Sequence, residues 1–380
     1  MKTTAKQASS RVAASIKPAA SEPGILPSQA ISGLIHSGAL QIAEPLAENQ
    51  LQPASLDLRL GAVAYRVRAS FLPGRGTRVQ SKLDDLQMHT ISLSQGAVLE
   101  TGCVYIVPLL EILALPADLS AAANPKSSTG RLDVFTRVIA DGVNAFDQVP
   151  AGYHGPLFAE ICPQTFPIVV RKGSRLSQIR FRVGPAADTD AALIELHKRE
   201  KLITSDEEAD IAGGLALSVD LKGGKDGLIG YRARRHTGVV DVDKPGSCPV
   251  ADYWDPIFAR GKNRLILDPD QFYILASKEA VHVPPTHAAE MVPFNPLVGE
   301  FRVHYAGFID PGFGHAAAGG KGSRVVLEVR SHKVPFILEH GQIIGRLIYE
   351  RMTETPEIIY GQGLKSNYQG QGLKLSKHFK

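Results

Sequence analysis

Leu157-Phe158-Ala159-Glu160-Ile161, a carboxylate set in an apolar β-type run, returns 168 residues later as Val325-Val326-Leu327-Glu328-Val329. The register continues past the acid. Pro167, Gly173, Leu176, Ile179 and Phe181 are answered by Pro335, Gly341, Ile344, Leu347 and Tyr349, each at the same offset of 168. Upstream, Glu111 followed by Pro116 returns as Glu279 followed by Pro284, and Val104-Tyr105-Ile106 as Phe272-Tyr273-Ile274. Chance does not hold one register over such a distance, so the chain reads as an internal duplication. Two further pairs are matched at other offsets: Ser55-Leu56-Asp57-Leu58-Arg59 with Ser218-Val219-Asp220-Leu221-Lys222, and Asn124-Pro125 with Asn295-Pro296.

Each copy is β-rich. In Leu56, Leu58 and Leu60 apolar residues alternate with Asp57 and Arg59 as in a half-buried strand, and up to about residue 182 short β-type runs are broken by Gly and Pro. Pro27 and Ser28 can open a helix that carries Ile31, Leu34 and Ile35 and ends near Gly38. A chain of 380 residues exceeds one ordinary core. The boundaries read as a disordered tail 1–22, copy one 23–183, a helix-bearing polar linker 184–212, copy two 213–355 and a tail 356–380. The N-terminal tail is basic and rich in Ala and Ser, as a transit peptide is, but its scarce Arg and poor apolar face favour plain disorder.

Composition excludes several classes. No apolar run approaches the roughly 18 to 20 residues that span a bilayer. A net charge of +4, its cations interspersed with acids, gives no basic stripe for nucleic acid. Cys103, Cys162 and Cys248 are odd in number and far apart, which suits a reducing, cytoplasmic setting and supplies no zinc ligand set.

The copies differ where chemistry would sit. Copy one carries Asn124-Pro125-Lys126-Ser127-Ser128-Thr129-Gly130-Arg131, whose hydroxyls, Lys, Arg and backbone N–H groups can face one polyphosphate; the same residues also fit a solvated turn. Copy two has Leu297-Val298-Gly299-Glu300 there, without hydroxyl or cation. It carries instead Ile309-Asp310-Pro311-Gly312-Phe313, a tight turn presenting a carboxylate, where copy one reads Val149-Pro150-Ala151-Gly152-Tyr153. Glu160 and Glu328 each sit among apolar residues, where a raised pKa would let one acid shuttle protons; an edge-strand glutamate paired with a cation fits the same pattern.

These pieces resemble the dCTP deaminases of the dUTPase-like superfamily, in the long, internally duplicated form. The resemblance rests on the opening helix to Gly38, Gln52 to Gly61, Lys126 to Arg131, Leu327-Glu328, and Asn367-Tyr368-Gln369-Gly370-Gln371-Gly372, in that order. It implies a mainly β fold of two tandem dUTPase-like distorted β-barrel or jelly-roll domains with a few short helices. It also implies zinc-independent hydrolytic conversion of dCTP to dUTP and ammonia; the zinc-deaminase pattern H-x-E with P-C-x-x-C is absent.

By the same resemblance Glu328, or Glu160, is the general acid/base, and Ser127, Arg131 and the carbonyl of Ala140 position water. Lys126, Ser128, Thr129 and Gly130 with their N–H groups meet phosphate, Asp310 takes the sugar 3′-hydroxyl, and Val326 and Leu327 offer backbone groups to the base. Lys126 stands where the family has Arg, keeping charge but losing the fork. The Gly- and Gln-rich tail, disordered by composition, becomes a lid with Tyr368 stacking and Gln371 or Lys374 reaching phosphate. Mg²⁺ would arrive on the triphosphate rather than in a protein cage, and subunits of a homo-oligomer would share sites. Since each copy lacks what the other keeps, one composite site per pair of copies is expected, with Glu160 structural. The rival expectations are a dUTP diphosphatase, alone or coupled to deamination, and a nucleotide-binding regulatory protein without turnover.

Overall fold

Short β-type runs punctuated by Gly and Pro become strands, and helix is confined to brief segments. The structure, a computed structural model, describes residues 22–204, 208–293, 301–304, 307–331, 333–362 and 370–380. The opening helix spans Ser28–Ser37, buries Ile31 and stops at Gly38, whose φ of 78° is a left-handed conformation natural to glycine.

In the first half one sheet carries, side by side, Gln148–Val149, Leu119–Pro125, Arg175–Val183, Ser55–Arg59 and Leu51–Gln52. A second carries Val134–Ala140, His154–Pro163, Val104–Ala114, Val63–Val67 and Gln87–Ser92. Both orders recur. Phe308–Ile309, His287–Pro293, Ile343–Arg351 and Leu215–Ser218 form one sheet of the second half. Phe301–His304, Ser323–Ser331, Phe272–Val281, Leu228–Ala233 and Trp254–Phe258 form the other. Glu160 lies opposite Ile106 and Glu328 opposite Ile274, so the offset of 168 between the glutamates is also the offset between their partners.

Strand pairing corrects the two looser matches. Arg175 pairs with Arg59 and Gln178 with Asp57, while Ile343 pairs with Ser218 and Arg346 with Ala216. Ser218 therefore corresponds to Arg59 rather than Ser55, and Ala216 to Asp57. Two glutamates agree, Glu111 buried and Glu279 half-buried: Glu111 accepts the backbone N–H of Arg59 at 2.9 Å, and Glu279 that of Ser218 at 2.8 Å. Alternation of period two is indifferent to an even slip, which is why the sequence match fell four residues away. Pro125 lies opposite Ser177 and Pro293 opposite Gly345, so Pro293 is the counterpart of Pro125; Asn295-Pro296 and residues 297–300 fall outside the described residues.

The halves interlock. The helix expected in the linker spans Asp190–Glu200 but buries Leu193 and Leu196 in the second core, and Ile203–Thr204 pairs with Phe272–Val281. The helix Asp190–Glu200 and the strand Ile203–Thr204 thus pack with the second half, while Ala186 packs with Ile25 and Ala54 as well as Ala288 and Met352. In return Val240, Tyr253 and Trp254 enter the first core, and Val240–Asp241 adds a parallel strand beside Ile168–Val170. The last eleven residues are docked. The Phe379 ring lies 5.6 Å from Trp254 and 6.0 Å from Phe166, both edge-on, and the Ser376 hydroxyl donates to the Ser128 carbonyl at 2.8 Å.

Candidate active site

Pro125, without an N–H to continue the ladder, closes the strand Leu119–Pro125, and Lys126 takes extended backbone to cap the single helical turn Ser127–Gly130. The N–H of Gly130 donates to the Lys126 carbonyl at 3.0 Å and that of Arg131 to the Ser127 carbonyl at 3.1 Å. Ser127 and Arg131, four residues apart, are brought to one side. A cavity of about 340 Å³ opens there, large enough for a small-molecule ligand. Lys126, Ser127, Ser128 and Arg131 line one wall, Asp310, Val326 and Glu328 of the second half another, and Gln371 and Lys377 come from the C-terminal stretch.

Glu328 is central on the strand Ser323–Ser331 and 4% exposed, and its Oε1 is 3.8 Å from Nε of Arg131. Burial pushes its carboxyl up to about 8, against the smaller opposing pull of Arg131. At neutral pH it is mainly a neutral acid, able to give a proton and take one back. Arg131 is fixed from behind by Nη1 donating to Gln371 Oε1 at 3.1 Å and to the Lys374 carbonyl at 3.0 Å.

Asp310 follows the strand Phe308–Ile309, in the place that Pro150 holds after Gln148–Val149. Burial raises its pKa; Arg180, whose Nη2 lies 3.5 Å away, opposes that rise. Arg180 is fully buried, reaches Glu350 at 3.2 Å and stacks over Phe308 at 4.1 Å, so a first-half cation holds the second-half turn in place.

The anionic end of a ligand would meet three cations. Lys126 pairs with the buried Asp57, Arg175 lies 3.4 Å from the same carboxylate, and Lys377 joins them on the cavity wall. Burial lowers the Lys377 pKa, and the nearness of Lys126 and Arg175 lowers it further. Such crowding of like charge is relieved when an anion arrives.

Other expected site residues fall elsewhere. The Thr129 hydroxyl donates to the Leu176 carbonyl at 2.9 Å, and neither it nor Gly130 lines the cavity. Ala140, 1% exposed, belongs to the first core, while Gly307 lines the cavity beside Glu328. Leu327 points into the second core, its alternate neighbours Val326 and Glu328 into the cavity. Lys374 is exposed, and its carbonyl accepts from Arg131; Tyr368 lies outside the described residues.

Glu160 does not line the cavity and is paired with a cation, though on an interior strand rather than an edge one: Arg137 donates to its Oε1 through Nε at 3.1 Å and Nη2 at 2.5 Å. Glu160→Gln is accordingly expected to lower stability by about 1–3 kcal/mol, the cost of weakening a buried charged hydrogen bond, with kcat within about twofold of the parent. Thermal melts beside steady-state assays check this, and a collapse of kcat without a stability change would return Glu160 to the chemistry.

Arg175, Arg180, Lys377, Phe313 and Tyr360 were not legible as site residues, though Phe313 and Tyr360 line the cavity with their rings 5.7 Å apart. One signal existed for Arg180. In Gln178-Ile179-Arg180-Phe181-Arg182 a cation recurs inside a run otherwise apolar enough to be buried. Among the described residues no group of three or more His, Cys, Asp or Glu could hold a metal ion, and no helix is long and apolar enough to cross a membrane.

A buried acid facing an arginine, with cations gathered at one end, defines a site suited to acid–base work on an anionic ligand. The model of the 2′-deoxycytidine 5′-triphosphate deaminase (DCD) N-terminal domain matches residues 22–185 and that of its C-terminal domain 189–379, so the chain belongs to the dCTP deaminase family. It is similar to a solved 2′-deoxycytidine 5′-triphosphate deaminase from Agrobacterium tumefaciens, 66% identical with a TM-score of 0.84 over 87% of this chain and 99% of that one. A dUMP-forming dCTP deaminase of Coprothermobacter proteolyticus is 29% identical over 160 residues, 42% of this chain and 82% of its own length. A dCTP deaminase of Haloarcula marismortui is 29% identical over 144 residues, 37% and 71%.

Proposed function

We propose that this chain hydrolytically deaminates dCTP to dUTP and ammonia, with Glu328 moving the protons, on two tandem dUTPase-like units that arose by duplication. The observation that carries the reading is Glu328, a buried acid pushed up to about 8 and 3.8 Å from Arg131, on the cavity that the cation-bearing turn also lines. Water, oriented by Ser127 and Arg131, bonds to C4 as neutral Glu328 gives its proton to N3. The carboxylate so formed takes a proton from the water and delivers it to the exocyclic amine. The C4–N bond breaks and ammonia leaves. The remaining hydroxyl proton returns to Glu328 as the C4 carbonyl forms, so the acid ends as it began and the base keeps its new N3 proton.

Lys126, Ser128, Arg175 and Lys377 would take the triphosphate, and Asp310, held by Arg180, the sugar hydroxyl. Asp57, whose Oδ1 has no hydrogen-bond partner among the described residues, suits the water shell of a Mg²⁺ carried by the nucleotide, which would offset phosphate charge. Both walls come from the two halves of one chain.

Incubating the purified protein with dCTP and Mg²⁺ should release ammonia and dUTP in equal amounts, unaffected by a zinc chelator. Appearance of dUMP in place of dUTP would put it with its dUMP-forming relatives, a reading that their names favour. Tight dCTP binding without ammonia would leave a regulatory protein, and activity lost to chelation and restored by zinc would end the metal-free mechanism.

A further inference from the structure

Two residues beyond each member of the Arg131–Glu328 pair, the charges reverse. Arg330 Nη2 is paired with Oδ2 of Asp133, from the second half to the first. The Thr165 hydroxyl completes a closed triangle, donating to Asp133 Oδ2 at 2.5 Å and accepting from Arg330 Nη2 at 3.1 Å. Arg330 is anchored on its own side by Nη1 donating to the Asp270 carbonyl at 2.6 Å. Asp133 is 1% exposed and sits at φ 56°, a left-handed conformation that costs most side chains energy and that Asp tolerates. Its N–H donates to the Gly130 carbonyl and its carbonyl accepts from Gln164, both at 2.9 Å, so it is rigidly tied to the turn that bears Arg131. None of Asp133, Thr165 and Arg330 lines the cavity.

Residues 328 and 330 share one face of their strand, and Asp133 lies two residues after Arg131, at the exit of the turn. Any change in the Asp133–Arg330 contact is therefore passed to the neighbouring pair with little slack. We propose that Asp133, Thr165 and Arg330 form a positioning clamp that sets the distance between Arg131 and Glu328 across the two halves. The clamp touches no substrate and acts through the pair beside it. The inference rests on Glu328 being the working acid. The charged group that faces Glu328 from the opposing half is Arg131, and its register neighbours are Ile274 and the backbone of His304. Loosening the clamp lets Arg131 draw back, which weakens a charge that favours the ionised carboxylate.

The test compares Arg330→Gln, Asp133→Asn, their double variant and Arg330→Lys in the full chain. The expected result is a kcat lowered about tenfold to a hundredfold, as small misplacements cost in such sites. KM should stay within about twofold. The alkaline limb of the pH profile should move up by about one pH unit as Arg131 recedes. The double variant should be no worse than the poorer single, and Arg330→Lys should recover part of the loss. The pKa of Glu328 is also to be read without turnover, from the pH dependence of unfolding of each variant minus that of its Glu328→Gln derivative. Were the unmodified chain to release no ammonia, that pKa would still judge the clamp while the deaminase reading alone failed. Should the charge-removing variants not fold, Thr165→Val, which keeps the ion pair and removes the bridging hydroxyl, should show the same shift in smaller measure. A lowered melting temperature with kcat and the Glu328 pKa both unmoved would overturn the proposal and leave an ordinary interface ion pair.

Discussion

Glu328→Gln is expected to lower deamination by about 10²- to 10⁴-fold, the range supplied by a placed acid–base group, and at the same time to make the ligand-free protein more stable at alkaline pH. The two effects share a cause. The amide has the shape of the carboxylic acid but cannot pass a proton, so the chemical step is lost while packing survives. The acid's pKa is raised from 4.5 in a model compound to about 8 by burial. Below about 4.5 the carboxyl is neutral in both folded and unfolded chains, and its neutral form fits the apolar wall. As pH rises toward 8 the unfolded chain loses this proton while the folded one retains it, so stability falls through that window. The slope is at most about 1.4 kcal/mol per pH unit for one group. Melts of both proteins from pH 5 to 9 should show this decline in the parent and a flatter curve in the variant. Parallel curves would mean that Glu328 is not a buried neutral acid, and full activity in the variant would remove it from the mechanism.

Arg131→Gln should cost about two orders of magnitude in kcat/KM, in line with deleting a charged group that makes several buried hydrogen bonds. Arg131 does three things at once: it faces Glu328, it sits beside Ser127, and it holds the C-terminal stretch through Gln371 and the Lys374 carbonyl. The loss should therefore have two further signatures. The alkaline limb should rise, because the opposing charge near Glu328 is gone. Amide exchange should quicken in residues 370–380, which lose one fastening while Phe379 and Ser376 keep theirs. Arg131→Lys should restore part of the electrostatic effect but not the hold on the tail, since an ammonium lacks the planar fork. Unchanged exchange at 370–380 with unchanged kinetics would show that the arginine is only a packing residue.

What was legible in the residues depended on the range of the interaction. The Glu160 and Glu328 strands, the opening helix to Gly38 and the Lys126–Arg131 turn are local features, set by alternation, capping and proline, and the structure has them at those positions. Asp310 could be singled out because it stands where the other copy has Pro150, a contrast visible once the chain is compared with itself. The match of Ser55 to Ser218 failed because a period of two accepts any even shift, and only hydrogen-bond partners such as Glu111 and Glu279 choose among them. Lys377 and Tyr360 belong to the cavity for a reason no local pattern carries: their stretches return from far along the chain to close it.

By itself, then, the amino-acid sequence determined that this is a β-rich chain whose halves share residues at an offset of 168, that one half keeps a hydroxyl-and-cation turn, and that the other keeps Asp310. The tertiary structure alone decided which of two equivalent glutamates faces that turn. Glu160 and Glu328 occupy the same register position in like strands, so nothing local separates them. The difference arises in what packs opposite: Arg137 neutralises Glu160 from the adjacent strand of its own half, while Glu328 is buried across from Arg131 of the other. Charge and burial act through space, and the neighbours that set them are chosen only when the two halves close on each other.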